Sequence, residues 1–392
     1  MKLKGKHILL GVTGSIAAYK IPELIRLLQA EGASVQVMVT PSSLEFITQL
    51  TLETISGFPV LDRLFASTDS ISHITSSRRA NVILIAPVTA KSLAKFSFGL
   101  ADDIVSTTVL AAKCPVLLAP AMNSMMWTNV LVQENKNRLL KAGYHLIPPV
   151  EGDLACGEFG NGKLAGLSLI VHEVIRACTL QDLKGKKVLI SGGATREYLD
   201  PVRYLSNASS GKMAFALVLE AYCRGAEVVF VKAHGDAFNV PLPQGVQIST
   251  VSNVFEMEKA VLEVLPKVDL FVSAAAVSDF TPKEFIPNKI KKTNDQYNLD
   301  LKAAPDILAN ALKHKKRTFI VGFALESVDA HESGIEKFKK KSVDLLVLNN
   351  VAALSADTSK VTFISSNGFF DYPVLSKNDT ARNIFDFFVK SI

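Results

Sequence analysis

One short pattern occurs twice in this chain. Leu3-Lys4-Gly5-Lys6 leads into HILLGVTGS, and Leu183-Lys184-Gly185-Lys186 leads into KVLISGGAT. Each copy is a polar lead-in, a continuous apolar strand and a glycine-rich turn. An uninterrupted apolar strand needs cover on both faces, as a parallel strand has when helices lie on either side of its sheet. Each copy therefore opens a doubly wound, Rossmann-like α/β domain. At about 150 residues per domain, 392 residues hold two of them. The expected domains are residues 1–182 and 183–392.

The pattern between the two lead-ins agrees with this. In the first half, strand-like runs at His7–Gly11, Ser34–Val39, Val82–Ala86, Val116–Ala119 and His145–Ile147 alternate with helical stretches. Those stretches are Ile16–Glu31, Lys91–Phe96, Ile104–Ala112 and Val130–Ala142. Ile21, Leu24, Ile25 and Leu28 recur at helical spacing, and Gly32 follows as a stop. The second half predicts strands at Lys187–Ser191, Glu227–Val231, Leu270–Ala274, Thr318–Phe323 and Leu345–Asn349. Its helices are expected at Lys212–Arg224, Val254–Val264, Pro305–Leu312 and Glu332–Lys341. Alternating βα units make parallel sheets with ligands at the carboxyl ends of the strands, so two domains imply two sites.

Charge and composition narrow the class. Lys and Arg exceed Asp and Glu by 43 to 37, a net +6, and the densest basic cluster is the short stretch from Lys283 to Lys292. That fits a small anionic ligand and gives no basic stripe for nucleic acid. The first apolar run, His7 to Val12, is shorter than the core of a secretion signal, and no stretch reaches membrane-spanning length. The four cysteines include no CxxC pair, as expected of a reducing cytoplasm.

Several turns carry chemistry. GVTGSIAAYK (Gly11–Lys20) joins a strand end to a helix start, where outward amides and the helix dipole favour a phosphate. Its glycines are spaced GxxG, so the dinucleotide fingerprint is missing and an NAD dehydrogenase is disfavoured; a tight turn without a ligand fits as well. His73 stands alone, as a structural histidine or a catalyst. Asn123, closing PAMN, can bind a carboxylate or cap its own turn. GDLACGEFGNGKLAG (Gly152–Gly166) surrounds Cys156 and Lys163 with five glycines. It reads as a mobile flap presenting one thiol and one cation, and it points to a chemical role for Cys156.

The second half concentrates polar groups in SGGATREYLDPVRYLSNASSGKM (Ser191–Met213). Arg196 and Arg203 there can grip phosphate or carboxylate in bidentate fashion, and Ser209-Ser210-Gly211-Lys212 opens a helix. Asp279 follows a strand end, suited to a ribose hydroxyl or a metal. NKIKK (Asn288–Lys292) adds lysines that would offset a triphosphate or simply face solvent.

This ordered set of motifs resembles the bacterial bifunctional phosphopantothenoylcysteine decarboxylase / phosphopantothenate–cysteine ligase family of coenzyme A biosynthesis, over nearly the whole length. GVTGSIAAYK, His73, PAMN and ACGEFGNGK match a flavoprotein cysteine decarboxylase half. DPVRYLSNASSGKM, AAAVSDF, NKIKK and GFALE match the ligase half. The resemblance implies FMN held by Gly14, Ser15, Ile16, Thr40, Ser42, Thr89, Ala90, Ser92 and Ala121. It implies His73 in oxidative decarboxylation, Asn123 on the substrate carboxylate and Cys156 as proton donor. For the ligase it implies CTP and Mg²⁺, an acyl-cytidylate handled by Asn207 and Arg203, and CTP contacts from Asp279, Lys289, Pro305, Asp306, Ile307, Leu308, Phe323, Lys337 and Lys341. Asp279 is also the candidate Mg²⁺ ligand. The implied partners are small molecules, 4′-phosphopantothenate, cysteine and CTP, in a homo-oligomer with trimeric decarboxylase and dimeric ligase contacts.

The chain departs from the family pattern at Lys91, Lys163 and Gly166. Lys163 stands where an arginine is usual, and a lysine lacks the bidentate fork. Two other expectations follow the same residues. One is an active ligase joined to a decarboxylase half that has drifted to another substrate; the other is a non-catalytic flavin- and nucleotide-binding regulator.

Overall fold

The structure is a computed structural model that describes residues 1–64, 72–239, 241–291, 298–326, 338, 342–350 and 356–392. It divides into two compact units, Met1–Thr179 and Leu180–Ile392, and both are α/β with parallel sheets. Among the described residues no helix is long and apolar enough to cross a membrane.

The first unit is built on a five-stranded parallel sheet. Its order is Ser34–Val39, His7–Val12, Val82–Val88, Val116–Pro120 and His145–Leu146. Every residue of Val82–Val88 is buried, as a central strand covered on both faces requires. The helix expected at Ile16–Glu31 is divided into a 3₁₀ turn, Ile16–Lys20, and an α-helix, Ile21–Ala30. Pro22 explains the division, because it lacks an N–H and its ring would crowd the carbonyl of Ala18, so the α-helix starts around it.

The glycine-rich segment expected as a flap is an antiparallel hairpin, Val150–Asp153 with Phe159–Lys163, in which Gly152 faces Gly160 and Asp153 faces Phe159. Gly160 and Gly162 serve close approach. Met122 N donates to Gly162 O at 3.0 Å, and a Cβ on Gly162 would stand 2.2 Å from Met122 O.

The second unit holds an eight-stranded sheet. Six parallel strands run in the order Val246–Thr250, Glu227–Lys232, Lys187–Gly192, Leu270–Ser273, Phe319–Glu326 and Leu345–Asn350. The antiparallel strands Thr358–Ser365 and Gly368–Ser376 complete it. This hairpin and the helix Lys377–Lys390 were not expected; Gly368–Ser376 is an edge strand with little burial, so it lacks the apolar run that marks the central strands. Lys187–Gly192 and Leu270–Ser273 are neighbours, yet the chain leaves them in opposite directions across the sheet. A crevice at the carboxyl ends belongs at that switch point.

Helices Val254–Val264 and Ile307–His314 pack against Leu189, Phe271, Ile320 and Leu346 on one face. Lys212–Cys223 lies on the other face, where a Cβ on Gly192 would meet Ala214, and packs against Lys377–Lys390. Arg224, buried, ties this side together by pairing with Asp182 at 2.5 Å and Asp386 at 2.7 Å. Two short ribbons rise near the switch point: Arg196–Tyr198 with Tyr204–Ser206, and Phe280–Pro282 with Leu301–Ala303.

Candidate functional site

In the first unit the turns after three neighbouring strands converge. Thr13 Oγ1 donates to Pro87 O at 2.9 Å and accepts from Thr89 N at 3.0 Å, which locks the first turn to the third strand's end. Thr89 in turn caps the helix Ala90–Phe98 by accepting from Ser92 N. Gly14 approaches so closely that a Cβ would lie 2.5 Å from Ser42 Cβ. These turns enclose a cavity of about 540 Å³ lined by Gly14, Ser15, Thr40, Ser42, Thr89, Ala90, Ser92 and Ala121. Lys91 lines it too. Lys95 stands at its edge between Asp102 at 2.6 Å and Asp103 at 2.8 Å, three residues that sequence reasoning did not single out.

Thr40 Oγ1 is buried in that wall and has no hydrogen-bond partner. A buried hydroxyl is ordinarily satisfied, so an orphan in the wall of a cavity points to a polar partner there. The backbone amides around Gly14 and the N-terminus of Ala90–Phe98 suit an anionic one. The residues nominated for a flavin phosphate and its surroundings therefore fit such a group.

A second cavity, about 480 Å³, shares Ser15, Ala121 and Met122 with the first. Ile16 lines this one instead, together with Asn123, Cys156, Lys163 and the hairpin turn. Asn123 is oriented by its own helix: its Oδ1 accepts from Met125 N at 2.8 Å, capping Ser124–Thr128. That leaves Nδ2 facing the hairpin, where it lies 3.4 Å from Cys156 Sγ and donates to Glu158 Oε2 at 2.9 Å. Cys156 Sγ lies 3.6 Å from the same carboxylate oxygen. Glu158 went unnoticed in the sequence, although its position two residues beyond a candidate thiol in a turn was a visible signal. His73 falls in the helix Ser72–Arg79, and its side chain lies outside the described residues. Gly166 serves as N-cap of the helix Leu167–Cys178.

In the second unit three loops are laced together at the switch point. Asp200, fully buried, is the knot. Its Oδ1 accepts from Val202 N and Arg203 N, each at 2.7 Å; its Oδ2 accepts from Ile290 N at 3.0 Å and Arg203 Nη1 at 2.6 Å. Burial alone would raise this carboxyl, but the three amides and the guanidinium outweigh it and hold it well below the usual carboxylate range. Arg203 also donates to Ile290 O at 3.1 Å, so Arg203 and the Lys289-Ile290 segment are brought together. Asn207 Nδ2 donates to Val277 O at 2.9 Å, and Ala304 N donates to Asp279 O at 2.9 Å. Asp200 was also missed; Asp-Pro is a turn signal, but nothing local marks it as buried.

The nominated nucleotide residues divide by exposure. Asp279 and Lys289 are exposed, and Asp306 caps the helix Ile307–His314 by accepting from Ala309 N at 2.9 Å. Ile307 and Leu308 lie in the hydrophobic core, so only their backbone is available to a ligand. Pro305 precedes that helix and Phe323 is half-buried on its strand. Lys337 and Lys341 lie outside the described residues. A separate hollow of about 670 Å³, lined by Tyr198, Phe255, Lys283 and Phe285 among others, contains none of the nominated residues.

Comparison with known proteins follows the same division. The Flavoprotein family model matches residues 1–179, and that of the DNA/pantothenate metabolism flavoprotein C-terminal domain matches residues 183–391. The chain is 38% identical to the coenzyme A biosynthesis bifunctional protein CoaBC of Vibrio cholerae over 97% of both chains. It is 37% identical to the protein of that name from Bacillus subtilis, over 97% of this chain and 96% of that one. Among solved structures, the C-terminal domain of a CoaBC matches at 30% identity, covering 54% of this chain and 97% of that one, with a TM-score of 0.47. With full-length relatives at this identity and a family model on each unit, the chain belongs to the bifunctional coenzyme A biosynthesis proteins, enzymes that join a flavoprotein decarboxylase to a ligase.

Proposed function

We propose that the second unit ligates 4′-phosphopantothenate to cysteine at the expense of CTP, and that the first decarboxylates the product to 4′-phosphopantetheine with FMN. The observation that carries this reading is the pair of adjoining cavities in the first unit. One is lined by several serine and threonine residues and has an orphaned hydroxyl in its wall; the other carries the only exposed thiol among the described residues beside an amide whose donor faces it.

FMN is held by Gly14, Ser15, Thr40, Ser42, Thr89, Ala90, Ser92 and Ala121, with Ile16 at the junction with the substrate cavity. Bound there, it supplies the two-electron exchange that makes loss of the carboxylate redox-neutral. Asn123 Nδ2 binds the substrate carboxylate, since its Oδ1 is already committed to Met125 N. Lys163, on the wall of the same cavity, offers a point charge to the substrate. Cys156 delivers the final proton to product carbon, and His73 assists the oxidative step.

In the ligase, Lys289, Asp279 and the backbone at Pro305, Asp306, Ile307 and Leu308 receive CTP, with Phe323, Lys337 and Lys341. Arg203 and Asn207 handle the acyl-cytidylate. Among the described residues no group of three or more acidic, histidine or cysteine side chains could hold a metal. Mg²⁺ comes with the nucleotide phosphates, and Asp279 is its candidate protein ligand. The working form is a homo-oligomer in the cytoplasm, with decarboxylase trimers and ligase dimers.

The test is incubation of the purified chain with 4′-phosphopantothenate, cysteine, CTP and Mg²⁺, with products followed by mass spectrometry. Conversion to phosphopantetheine is expected. Accumulation of phosphopantothenoylcysteine would restrict the reading to the ligase, and absence of both products would overturn it.

A further inference from the structure

We infer that Glu158 is the proton relay that reloads Cys156 after each turnover. The inference rests on the reading in which Asn123 binds the substrate carboxylate and Cys156 protonates the product.

The geometry is a three-cornered cluster. Asn123 Nδ2 is shared between Glu158 Oε2 at 2.9 Å and Cys156 Sγ at 3.4 Å, and the thiol lies 3.6 Å from that same oxygen. The hairpin turn enforces this grouping. Leu154 N donates to Glu158 O at 2.8 Å and Gly157 N to Leu154 O at 2.9 Å, so residues 156 and 158 are held on one tight loop. Both side chains reach solvent.

Without substrate, the Glu158 carboxylate therefore sits on the Asn123 amide where the substrate carboxylate is to bind. Two carboxylates cannot share one amide N–H pair already turned toward a thiol, so substrate displaces Glu158. Loss of CO₂ frees the amide again. Glu158 then returns to within reach of Cys156 at the stage when the thiol gives up its proton. The Cys156 S–H bond breaks as the product C–H bond forms. The Glu158 carboxylate takes up a proton from hydronium or a buffer acid in the solvent and passes it to the thiolate. Thiol and carboxylate are thus both restored, and the one proton that decarboxylation consumes comes from solvent. No electrons move in this step, and Glu158, exposed, is open to the solvent that resupplies it.

The experiment is rapid-quench assay of the holoenzyme on excess phosphopantothenoylcysteine. Glu158→Ala should make its first equivalent of product at the unaltered rate, since the relay is called on only after Cys156 has given up its proton. Later turnovers should slow by about 10²-fold, the scale of a lost proton-transfer group. Formate should restore them in Glu158→Ala and not in Glu158→Gln, which fills the space. Equal first and later turnovers, or a lower Michaelis constant at unchanged kcat, would overturn the relay and leave Glu158 a placeholder on Asn123. Normal turnover by Cys156→Ser would overturn the underlying reading as well. A readout independent of turnover is alkylation of Cys156 in substrate-free enzyme, located by peptide mapping. Glu158→Ala should raise the rate with anionic iodoacetate several-fold relative to neutral iodoacetamide, and an unchanged ratio would refute the placement.

Discussion

Asp200→Asn isolates what the buried carboxylate does for the ligase. The substitution preserves volume but replaces one acceptor oxygen with a donor NH₂. In one orientation that NH₂ faces the amides of Val202 and Arg203; in the other it faces Ile290 N–H and the Arg203 guanidinium. Either way a donor meets two donors in a site with no solvent exposure. A lost bond to a charged group costs about 1.5–3 kcal/mol and a stranded buried donor about 1–3 kcal/mol, so roughly 3–5 kcal/mol falls on the loops holding Arg203 and Lys289. If about 3 kcal/mol of this appears as displacement of those groups, kcat/KM for CTP falls about 10²-fold. The assay is cysteine-dependent pyrophosphate release, with decarboxylation of added phosphopantothenoylcysteine measured on the same sample. The decarboxylase is built in the other unit, so it acts as an internal control and should be unaltered. A kcat/KM for CTP within about twofold of the unsubstituted enzyme would refute the claim that Asp200 positions the ligase loops.

Three further perturbations probe the first unit. Gly162→Ala places a methyl 2.2 Å from Met122 O, and the hairpin must move away from Asn123. A misplacement of that size should lower decarboxylation by about 10²-fold while pyrophosphate release continues, and normal decarboxylation would contradict the packing role of this glycine. Gly14→Ala drives a methyl toward Ser42 Cβ, 2.5 Å from its ideal position, and should yield protein purified without flavin absorbance; a full complement of bound flavin would count against the cradle. His172, pushed down to about 4 first by burial and then by Lys2, is kept neutral in the fold. Because its folded value lies below the ordinary 6.5, its contribution is complete above that pH and is lost as pH falls from 6.5 through about 4. The loss amounts to about 3 kcal/mol at most. Trp127, the single tryptophan, reports unfolding of this unit, and His172→Gln should flatten the acid slope seen in its fluorescence; an unchanged slope would refute the assignment.

What the sequence discloses depends on how far apart the interacting groups lie. The central strands show themselves because burial on both faces writes an unbroken apolar run, as in Val82–Val88, and their turns are found by looking where those runs stop. The edge strand Gly368–Ser376 writes no such run, because most of its residues face solvent. Glycine is ambiguous for a different reason. The same residue type permits motion and permits contact, and only the position of Met122, remote in sequence, shows that Gly162 is there for contact. Asp200 is the extreme case. Its bond to Val202 N is a local turn, predictable from Asp-Pro, but its bond to Ile290 N spans 90 residues, and that bond makes it a knot between loops. Glu158 was legible and overlooked: a carboxylate two residues past a thiol needs only a tight turn to bring the two together, and the glycine between them permits one by adopting φ +82°. Local constellations can therefore be taken from sequence once a turn is recognised, whereas buried charges that join separate loops need the fold, because the groups that make their burial tolerable come from another part of the chain.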